Sequence, residues 1–116
     1  MPFSRGDVVL VLFPDSNLRT AKRRPAVVVQ RDDLKTGLSQ VILAMISSNL
    51  ARAGHPSRIA VSKASSMGRQ MGLRTDSVIM TDNLATVLEV EVDQVIGHTP
   101  NAADLDVALR HTLGLH

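Results

Sequence analysis

The feature that most limits how this chain can fold is a succession of short, β-branched apolar runs separated by turn-forming residues. The first run, "DVVLVLF", lies between Gly6 and Pro14, and "QVILAMIS" repeats its character further along the chain. Runs of this kind are typical of β-strands. Their spacing favours a small, strongly bent antiparallel barrel, and thus a mainly β fold, over alternating βαβ units. The predicted strands are Asp7–Phe13, Ala26–Gln30, Gln40–Ser47, Arg58–Val61, Ser77–Met80 and Asn83–Leu88.

One helix is predicted near the C-terminus. Asn101 is placed to cap its first turn, and Gly114 is placed to end it. An apolar stripe at helical spacing lies between them and predicts the face that packs on the sheet. The stripe consists of Leu105, Ala108, Leu109 and Leu113.

Composition indicates one compact domain spanning residues 1–116. The chain has 44% hydrophobic residues, enough for a real core, and it has no cysteine. Disulfides, thiolate metal sites and cysteine nucleophiles are therefore excluded, and a reducing cytoplasm is compatible with this. The sequence shows neither a secretory signal pattern nor an apolar run near the roughly 18 residues of a membrane span. We expect a soluble, unprocessed, cytoplasmic protein.

Charge is divided unevenly along the chain. Residues 1–75 contain 12 Lys/Arg and 4 Asp/Glu, a net charge of +8, whereas residues 76–116 carry −6. The positive electrostatic field of such a basic segment attracts phosphates if the fold gathers the basic side chains on one face. Alternatively, the acidic part neutralises the basic part within the fold or across a dimer. The charge pattern by itself leaves both interpretations open.

Familiar enzyme and metal motifs find little support. The glycines are scattered and form no phosphate-binding loop. Composition does not exclude a Ser-His-Asp triad, but a G-x-S-x-G nucleophile elbow is missing. The histidines do not have a metal-ligand spacing, and we expect no metal site and no cofactor. They are His55, His98, His111 and His116.

Arginines, hydroxyls and amides remain as candidate functional groups. Only Phe3 and Phe13 are aromatic, so the base-stacking platform of common RNA-binding modules is not expected. Any base recognition would rest on hydrogen bonds and on arginine planes stacked on bases. Arginine also matches phosphate oxygens with a planar, permanently charged fork. These residues indicate an anion-binding small barrel.

Four segments of the chain carry a recognisable pattern. They are "RGDVVLVLFP" at Arg5–Pro14, "KRRPAVVVQ" at Lys22–Gln30, "VILAMISSNLAR" at Val41–Arg52 and "GLRTDSVIMTDNLATV" at Gly72–Val87. Together they resemble the MazF/PemK family of toxins. One such motif would be weak evidence, because a G-D pair followed by valines is common. All four occur in the family's order and at its spacing, and the similarity covers nearly the whole chain.

The resemblance implies an SH3-like barrel that forms a homodimer. It also implies a sequence-selective, metal-independent endoribonuclease that cleaves single-stranded RNA such as mRNA. Attack by the ribose 2′-hydroxyl on the adjacent phosphate would leave a 2′,3′-cyclic phosphate and a free 5′-hydroxyl. The implied partner is a cognate antitoxin whose acidic, flexible segment occupies the RNA groove. Operator DNA is expected to bind only to the toxin–antitoxin complex.

The resemblance also implies two catalytic residues. The family's central arginine, which precedes the proline of the R-P motif, falls on Arg24. It is expected to act as an electrostatic clamp, because arginine is almost entirely protonated at neutral pH and leaves almost no neutral form to act as a base. The family's catalytic threonine falls on Ser47, which keeps the hydroxyl and lacks the methyl group. Alternatively, Arg24 is a structural cation and Ser47 bonds only to backbone.

A further set of polar residues provides candidate RNA contacts. The loop before the R-P motif departs from the Gly-Ser-Glu-Gln-Gly type of well-studied members and resembles the basic PemK-like version. Its cations are candidates for backbone phosphates, with a solvated charged loop as the alternative. Three amides are candidates for base-edge or sugar contacts, unless they only satisfy buried backbone. The six residues are Arg19, Lys22 and Arg23 in the first group and Gln30, Asn49 and Asn83 in the second.

Two other functions remain open on the same fold. One is a non-enzymatic toxin that binds a protein target, as gyrase poisons of the CcdB kind do. The other is an inactive member that retains antitoxin and operator-DNA binding. Arg24 and Ser47 favour the RNA-cleaving function. CcdB-like poisons depend on C-terminal residues that include a terminal aromatic, whereas this chain ends in "LGLH".

Overall fold

A six-stranded antiparallel sheet dominates the computed structural model, which describes residues 3–116. The sheet curls into a half-barrel, and its strands follow the spatial order β4-β5-β3-β2-β1-β6. The predicted mainly β fold with a C-terminal helix is confirmed. The elements are β1 (Asp7–Pro14), β2 (Ala21–Val28), β3 (Gln40–Ser47), β4 (Arg58–Val61), α1 (Ser66–Gln70), β5 (Ser77–Leu88), a 3-10 turn (Glu89–Glu91), β6 (Val92–His98) and α2 (Ala102–Leu113).

Alternation along the strands builds two cores, one on each face of the curled sheet. In β1, Val9 and Val11 point into the concave face, where they meet Leu43 of β3. Val8 points the other way and meets Leu105 of α2. The central strands are therefore buried on both faces, which explains their nearly continuous apolar runs.

Helix α2 covers the second core as its pattern predicts. The Asn101 side chain accepts a hydrogen bond from the Ala103 N–H at 2.9 Å, and Gly114 ends the helix with φ of +69°. Leu105 is fully buried, whereas Leu113, which we expected on the buried stripe, is 54% exposed. The last turn of α2 instead contacts the sheet through Thr112, whose Oγ1 lies 2.7 Å from Thr81 Oγ1 of β5.

The seam between β2 and β3 is shorter than either strand. β2 pairs with β1 along its whole length, but it pairs with β3 only from Ala26 to Val28. Alternate residues of β2 direct their N–H toward β3, and the Val29 N–H continues this series by donating to the Ile42 carbonyl at 3.1 Å. In the same register, the next backbone N–H directed toward β3 would belong to position 25, but Pro25 has no backbone N–H. The two strands separate beyond this point.

A bulge interrupts the pairing of β3 with β5. Ala44 lies opposite Leu84, but the next residue, Met45, lies opposite Met80. Three residues of β5, 81–83, therefore stand outside the ladder, and bulges of this kind redirect side chains. β5 is one long strand across the bulge, whereas the sequence predicted two strands, Ser77–Met80 and Asn83–Leu88.

Three further elements differ from the prediction. β2 starts at Ala21 and ends at Val28, and not at Ala26 and Gln30, because its charged first half pairs with β1. β6 was not predicted because this edge strand is largely exposed and carries little apolar alternation. Helix α1 is a single capped turn, with the Gly68 N–H donating to Ser65 Oγ at 2.9 Å. Neither helix within residues 3–116 has the length and apolarity to cross a bilayer.

Candidate functional site

A groove of about 630 Å³ lies where β2 and β3 separate. Its walls come from the start of β2, the β1–β2 loop, and the region where Met45 of β3 faces the bulge of β5. It contains two cations, one carboxylate, two thioethers and several hydroxyl and amide groups. The lining residues are Pro14, Asp15, Ser16, Asn17, Thr20, Ala21, Lys22, Arg24, Met45, Met80 and Asn83.

Arg24 is the cation held most firmly in this groove. Its side chain is 29% exposed, and Nη2 donates to Asp15 Oδ1 at 3.2 Å. Its Nε is buried and has no hydrogen-bond partner among the described residues. The guanidinium is therefore oriented along one edge and retains unused donors, and a planar fork of this kind suits phosphate oxygens.

The β1–β2 loop fixes the carboxylate that holds Arg24. Asp15 Oδ2 accepts from Thr20 Oγ1 at 2.7 Å, and the Asp15 N–H donates to the Thr20 carbonyl at 2.9 Å. Asn17 Oδ1 accepts from the N–H groups of Arg19 and Thr20 at 2.9 and 3.2 Å. Leu18 at the loop tip takes a φ of +60°. These local bonds preorganise the loop, so Arg24 has a defined partner.

The electrostatics of Asp15 follow from the same contacts. Hydrogen bonds from Thr20 and then Arg24 lower the pKa of Asp15 below its ordinary value, and the charge of Lys22 acts in the same direction. Asp15 is therefore ionised at neutral pH. With two cations and one carboxylate, the groove keeps a net positive charge.

The basic loop residues do not all face the groove. Lys22 is exposed, lines the groove and forms no ion pair among the described residues. Arg23 points to the opposite face of β2, where Nη1 lies 2.5 Å from Asp93 of β6. Arg19 is exposed on the loop but is not among the groove-lining residues. Strand alternation thus separates Arg23 from its two neighbours.

Ser47 lies at the end of β3, beside the groove and outside its lining. Ser47 lies two residues after Met45, the last residue of β3 that pairs with β2. Its Oγ accepts from the Asn49 N–H at 3.1 Å. The hydroxyl hydrogen therefore stays available to donate elsewhere.

Only one of the three predicted amides lines the groove. Asn83 lies there, and its Nδ2 donates to Met45 Sδ at 3.3 Å. Gln30 Oε1 accepts from the Ile42 N–H at 3.2 Å and lies near the 32–40 loop. Asn49 Oδ1 accepts from the Ala51 N–H at 3.0 Å in an exposed turn. Gln30 and Asn49 thus satisfy backbone groups, the alternative that their sequence positions left open.

The charge asymmetry is partly neutralised within the fold. Three ion pairs join the basic half to the acidic half, and none of them involves a groove-lining residue. They are Arg5–Asp106 at 2.7 Å, Arg23–Asp93 at 2.5 Å and Arg58–Asp82 at 3.1 Å. Neutralisation within the fold, one of the two interpretations of the charge pattern, therefore applies to these six residues.

Several groove residues were not found by sequence reasoning. Asp15 and Thr20 stand five residues apart in a turn, and their bond depends on how the loop closes. Met45 and Met80 look like core residues in an apolar run and come together through the β5 bulge. The only sequence signal for these groove residues was the turn-forming segment "PDSN" beside the basic run. Within residues 3–116, the structure groups no three His, Asp or Glu side chains in a way that could hold a metal ion.

Comparison with known families gives a match over nearly the entire chain. Residues 4–111 match the model of the PemK-like, MazF-like toxins of type II toxin–antitoxin systems. The match spans the groove and every strand of the sheet.

Individual relatives agree with the family match. The chain is 30% identical over 119 residues to endoribonuclease MazF2 of Mycobacterium bovis, covering 99% of this chain and 100% of the relative. Endoribonuclease MazF6 of Mycobacterium tuberculosis H37Rv matches with the same identity and coverage. A mycobacterial endoribonuclease solved with its cognate antitoxin has a similar fold, with a TM-score of 0.72, 18% identity and coverage of 98% and 97%.

Removing the Thr20 hydroxyl should raise the pKa of Asp15 toward its ordinary value of 3.8, because the largest lowering contact is lost. Carboxyl-detected NMR titration of Thr20→Val measures this directly. Ser16→Ala, which removes a neighbouring groove hydroxyl, is the control and should leave the titration unchanged.

Because the pKa of Asp15 is lowered in the folded protein, the contacts of its carboxylate stabilise the fold. Their contribution to the free energy of unfolding is complete above pH 3.8 and is lost as the pH falls through the lowered pKa. An Asp15 titration at or above 3.8 in the parent protein would contradict the contacts described for the loop.

Proposed function

The chain belongs to the PemK-like, MazF-like family of type II toxin–antitoxin toxins, and from this premise we propose that it is an endoribonuclease that cleaves single-stranded RNA in the groove beside Arg24. The observation that carries the proposal is the position of Arg24. Its Nη2 donates to Asp15, and its side chain shares the groove with Lys22, which forms no ion pair among the described residues. A phosphodiester is the ligand that such a pair of cations recognises.

The proposed reaction is transesterification within the RNA. The ribose 2′-oxygen forms a bond to the adjacent phosphorus while the bond from phosphorus to the 5′-oxygen breaks. The 2′-hydroxyl loses its proton to an acceptor, and the departing 5′-oxygen gains one. The products are a 2′,3′-cyclic phosphate and a 5′-hydroxyl, and the sequence of steps needs no metal ion.

Arg24 stabilises the charge that develops on the phosphorane oxygens. A fixed cation and preorganised donors lower this barrier without reorganising during the reaction. Proton abstraction is assigned to water or to the RNA itself, because a guanidinium group stays protonated at neutral pH and is a poor base.

Ser47 is assigned as a second, neutral donor at the end of β3. It lies two residues after the last β3 residue that pairs with β2, and its Oγ already accepts from the Asn49 N–H. The remaining O–H is directed to a non-bridging or departing oxygen of the phosphate. Serine lacks the methyl group of the family's threonine, so its χ1 rotamer is less restricted.

Backbone binding is assigned first to Lys22, with Arg19 as an exposed contact outside the groove lining. Arg23, Gln30 and Asn49 are left out of the binding surface because their polar groups have other partners. An acidic antitoxin segment is the expected competitor for the same positive groove, and complementary charge gives such a complex fast association. The active unit is proposed to be a cytoplasmic homodimer.

Arg24→Ala should reduce cleavage of a long unstructured RNA at least about a hundredfold, since losing one preorganised oxyanion donor costs about 10²–10³. Ser47→Ala should cost less because its hydroxyl is neutral, and Ser47→Thr should be tolerated. Single-turnover rates measure these effects once thermal melting shows that each variant is folded. Cleavage by Arg24→Ala at the parental rate would show that the active site lies elsewhere.

Lys22→Ala should weaken RNA binding nearly independently of sequence. It should also reduce the slope of log affinity against log salt by about 0.7, as expected for one lost phosphate contact to a single strand. Arg23→Ala is the matched control, because it removes an adjacent cation that pairs with Asp93 on the opposite face. Equal effects of the two variants would contradict the groove as the binding surface.

Cleavage should persist in EDTA and yield 2′,3′-cyclic phosphate ends, which mass spectrometry of the fragments identifies. Loss of activity on chelation, with recovery on adding Mg²⁺, would contradict the proposed route. If parental protein leaves RNA intact under every condition, a toxin that binds a protein target becomes the better account.

A further inference from the structure

We propose that a cavity on the outer, convex face of the curled sheet binds a small organic carboxylate with an apolar body. The cavity has a volume of about 530 Å³ and is enclosed by β1, the start of β2, β6 and the segment between α1 and β5. It shares no lining residue with the groove that contains Arg24. The inference therefore does not depend on the proposed function.

A row of three residues across three strands forms one wall of this cavity. Leu10 of β1 pairs with Pro25 of β2 on one side and with Gln94 of β6 on the other, and all three line the cavity. Successive residues of a strand point to opposite faces, so Pro25 faces the cavity whereas Arg24 faces the groove. The cavity thus lies behind the strand segment that carries Arg24.

The opposite wall is a stretch of backbone fixed against β6. The chain after α1 approaches β6 so closely that a Cβ on Gly72 would clash with the Ile96 carbonyl oxygen, and a Cβ on Gly97 would clash with the Met71 backbone. Gly72 also has a φ of +73°, which glycine adopts without strain. Because this wall is held by contacts between backbone groups, the cavity is preformed, as small-molecule sites usually are.

Apolar side chains supply a surface for the body of a ligand. Val95 is 48% exposed, and the other apolar lining residues, Leu10, Pro25, Leu73 and Ile96, are half-buried. An apolar ligand would remove this surface from water, which favours binding. The cavity volume also lies within the range of about 300–1,000 Å³ that is usual for small-molecule sites.

Arg74 gives the cavity its charge. Within residues 3–116 it is the only charged side chain of the lining, and its exposed guanidinium forms no ion pair or hydrogen bond there. Neighbouring acids are engaged elsewhere, since Asp76 accepts from the Lys63 N–H at 3.0 Å and Asp93 pairs with Arg23. A single uncompensated guanidinium matches a single carboxylate, with which it forms two parallel N–H···O bonds.

Two neutral side chains of the lining provide further donors for the carboxylate. The exposed amide of Gln94 has no hydrogen-bond partner among the described residues. Ser77 Oγ donates to the Thr75 carbonyl at 2.8 Å and lies 3.5 Å from Thr75 Oγ1, so the Thr75 hydroxyl retains a proton to donate. An apolar lining with a few convergent polar groups is the usual composition of a ligand site.

The probe for this site is 1-naphthoate, a rigid apolar carboxylate, and 1-naphthamide is its neutral counterpart of nearly the same shape. NMR titration of the whole chain should show saturable shifts of the Leu10 methyls and the Gln94 side-chain amide. A Kd of about 1 mM or below is expected for a ligand of this size. The neutral amide should bind more weakly because it does not gain from the charge of Arg74.

Two variants separate the charged contact from the apolar one. Arg74→Gln should weaken naphthoate binding about fivefold, the upper end for a pair with an exposed guanidinium, and leave naphthamide nearly unaffected. Val95→Ser should weaken both probes because it removes apolar surface that they share. Arg110→Gln, which removes an exposed arginine of α2 outside the cavity, is the matched control and should preserve both Kd values. Thermal melting checks that each variant is folded.

Three results would overturn the proposal. One is the absence of saturable naphthoate binding by the parent far above the expected Kd, as when a second copy of the chain covers the cavity. Another is a set of shifts centred on the side-chain amides of Asn17 and Asn83, because the anion would then lie in the groove. The third is an equal loss of both probes in Arg74→Gln, which would exclude recognition of the carboxylate.

Discussion

A missing hydrogen-bond donor at Pro25 is the constraint on which the groove depends. The register of β2 against β3 calls for an N–H at this position, and proline does not provide it. The ladder ends at Ala26, so Arg24 lies on the part of β2 that is not paired with β3, where it lines the groove. The dipeptide Arg24–Pro25 thus supplies both the cation and the opening that exposes it.

The β1–β2 loop and the bulge in β5 then determine which polar groups line the groove. The β1–β2 loop bonds to itself and holds Asp15 against Arg24, which orients the guanidinium while leaving donors unused. The β5 bulge sends Asn83 toward the same space from the opposite side. The loop and the bulge are both held in place because their other polar groups already form hydrogen bonds. The site is preorganised, which suits a reaction that depends on stabilising a short-lived charge.

The sequence predicts the sheet, the C-terminal helix and the family well, because strand periodicity and helix caps are local signals. Arg24 is assigned through the family resemblance, as the arginine before the proline of the R-P motif. The sequence does not separate Lys22 from Arg23, because the predicted strand begins at Ala26 and leaves both residues in a loop, whereas β2 begins at Ala21. Nor does it reveal the bulge that brings Asn83 to Met45, since 38 residues separate them in the chain. Contacts of that range come from tertiary packing.

The central claim is that RNA docks in the groove opened at Pro25. NMR titration with a 2′-O-methyl RNA, which has no free nucleophile, tests the docking separately from the chemistry. We predict that the Arg24 Nε–H and the Asn83 side-chain amide shift on binding, while the amides of Gln30 and Asn49 stay in place. Shifts confined to Gln30 and Asn49, with Arg24 and Asn83 unmoved, would contradict the account.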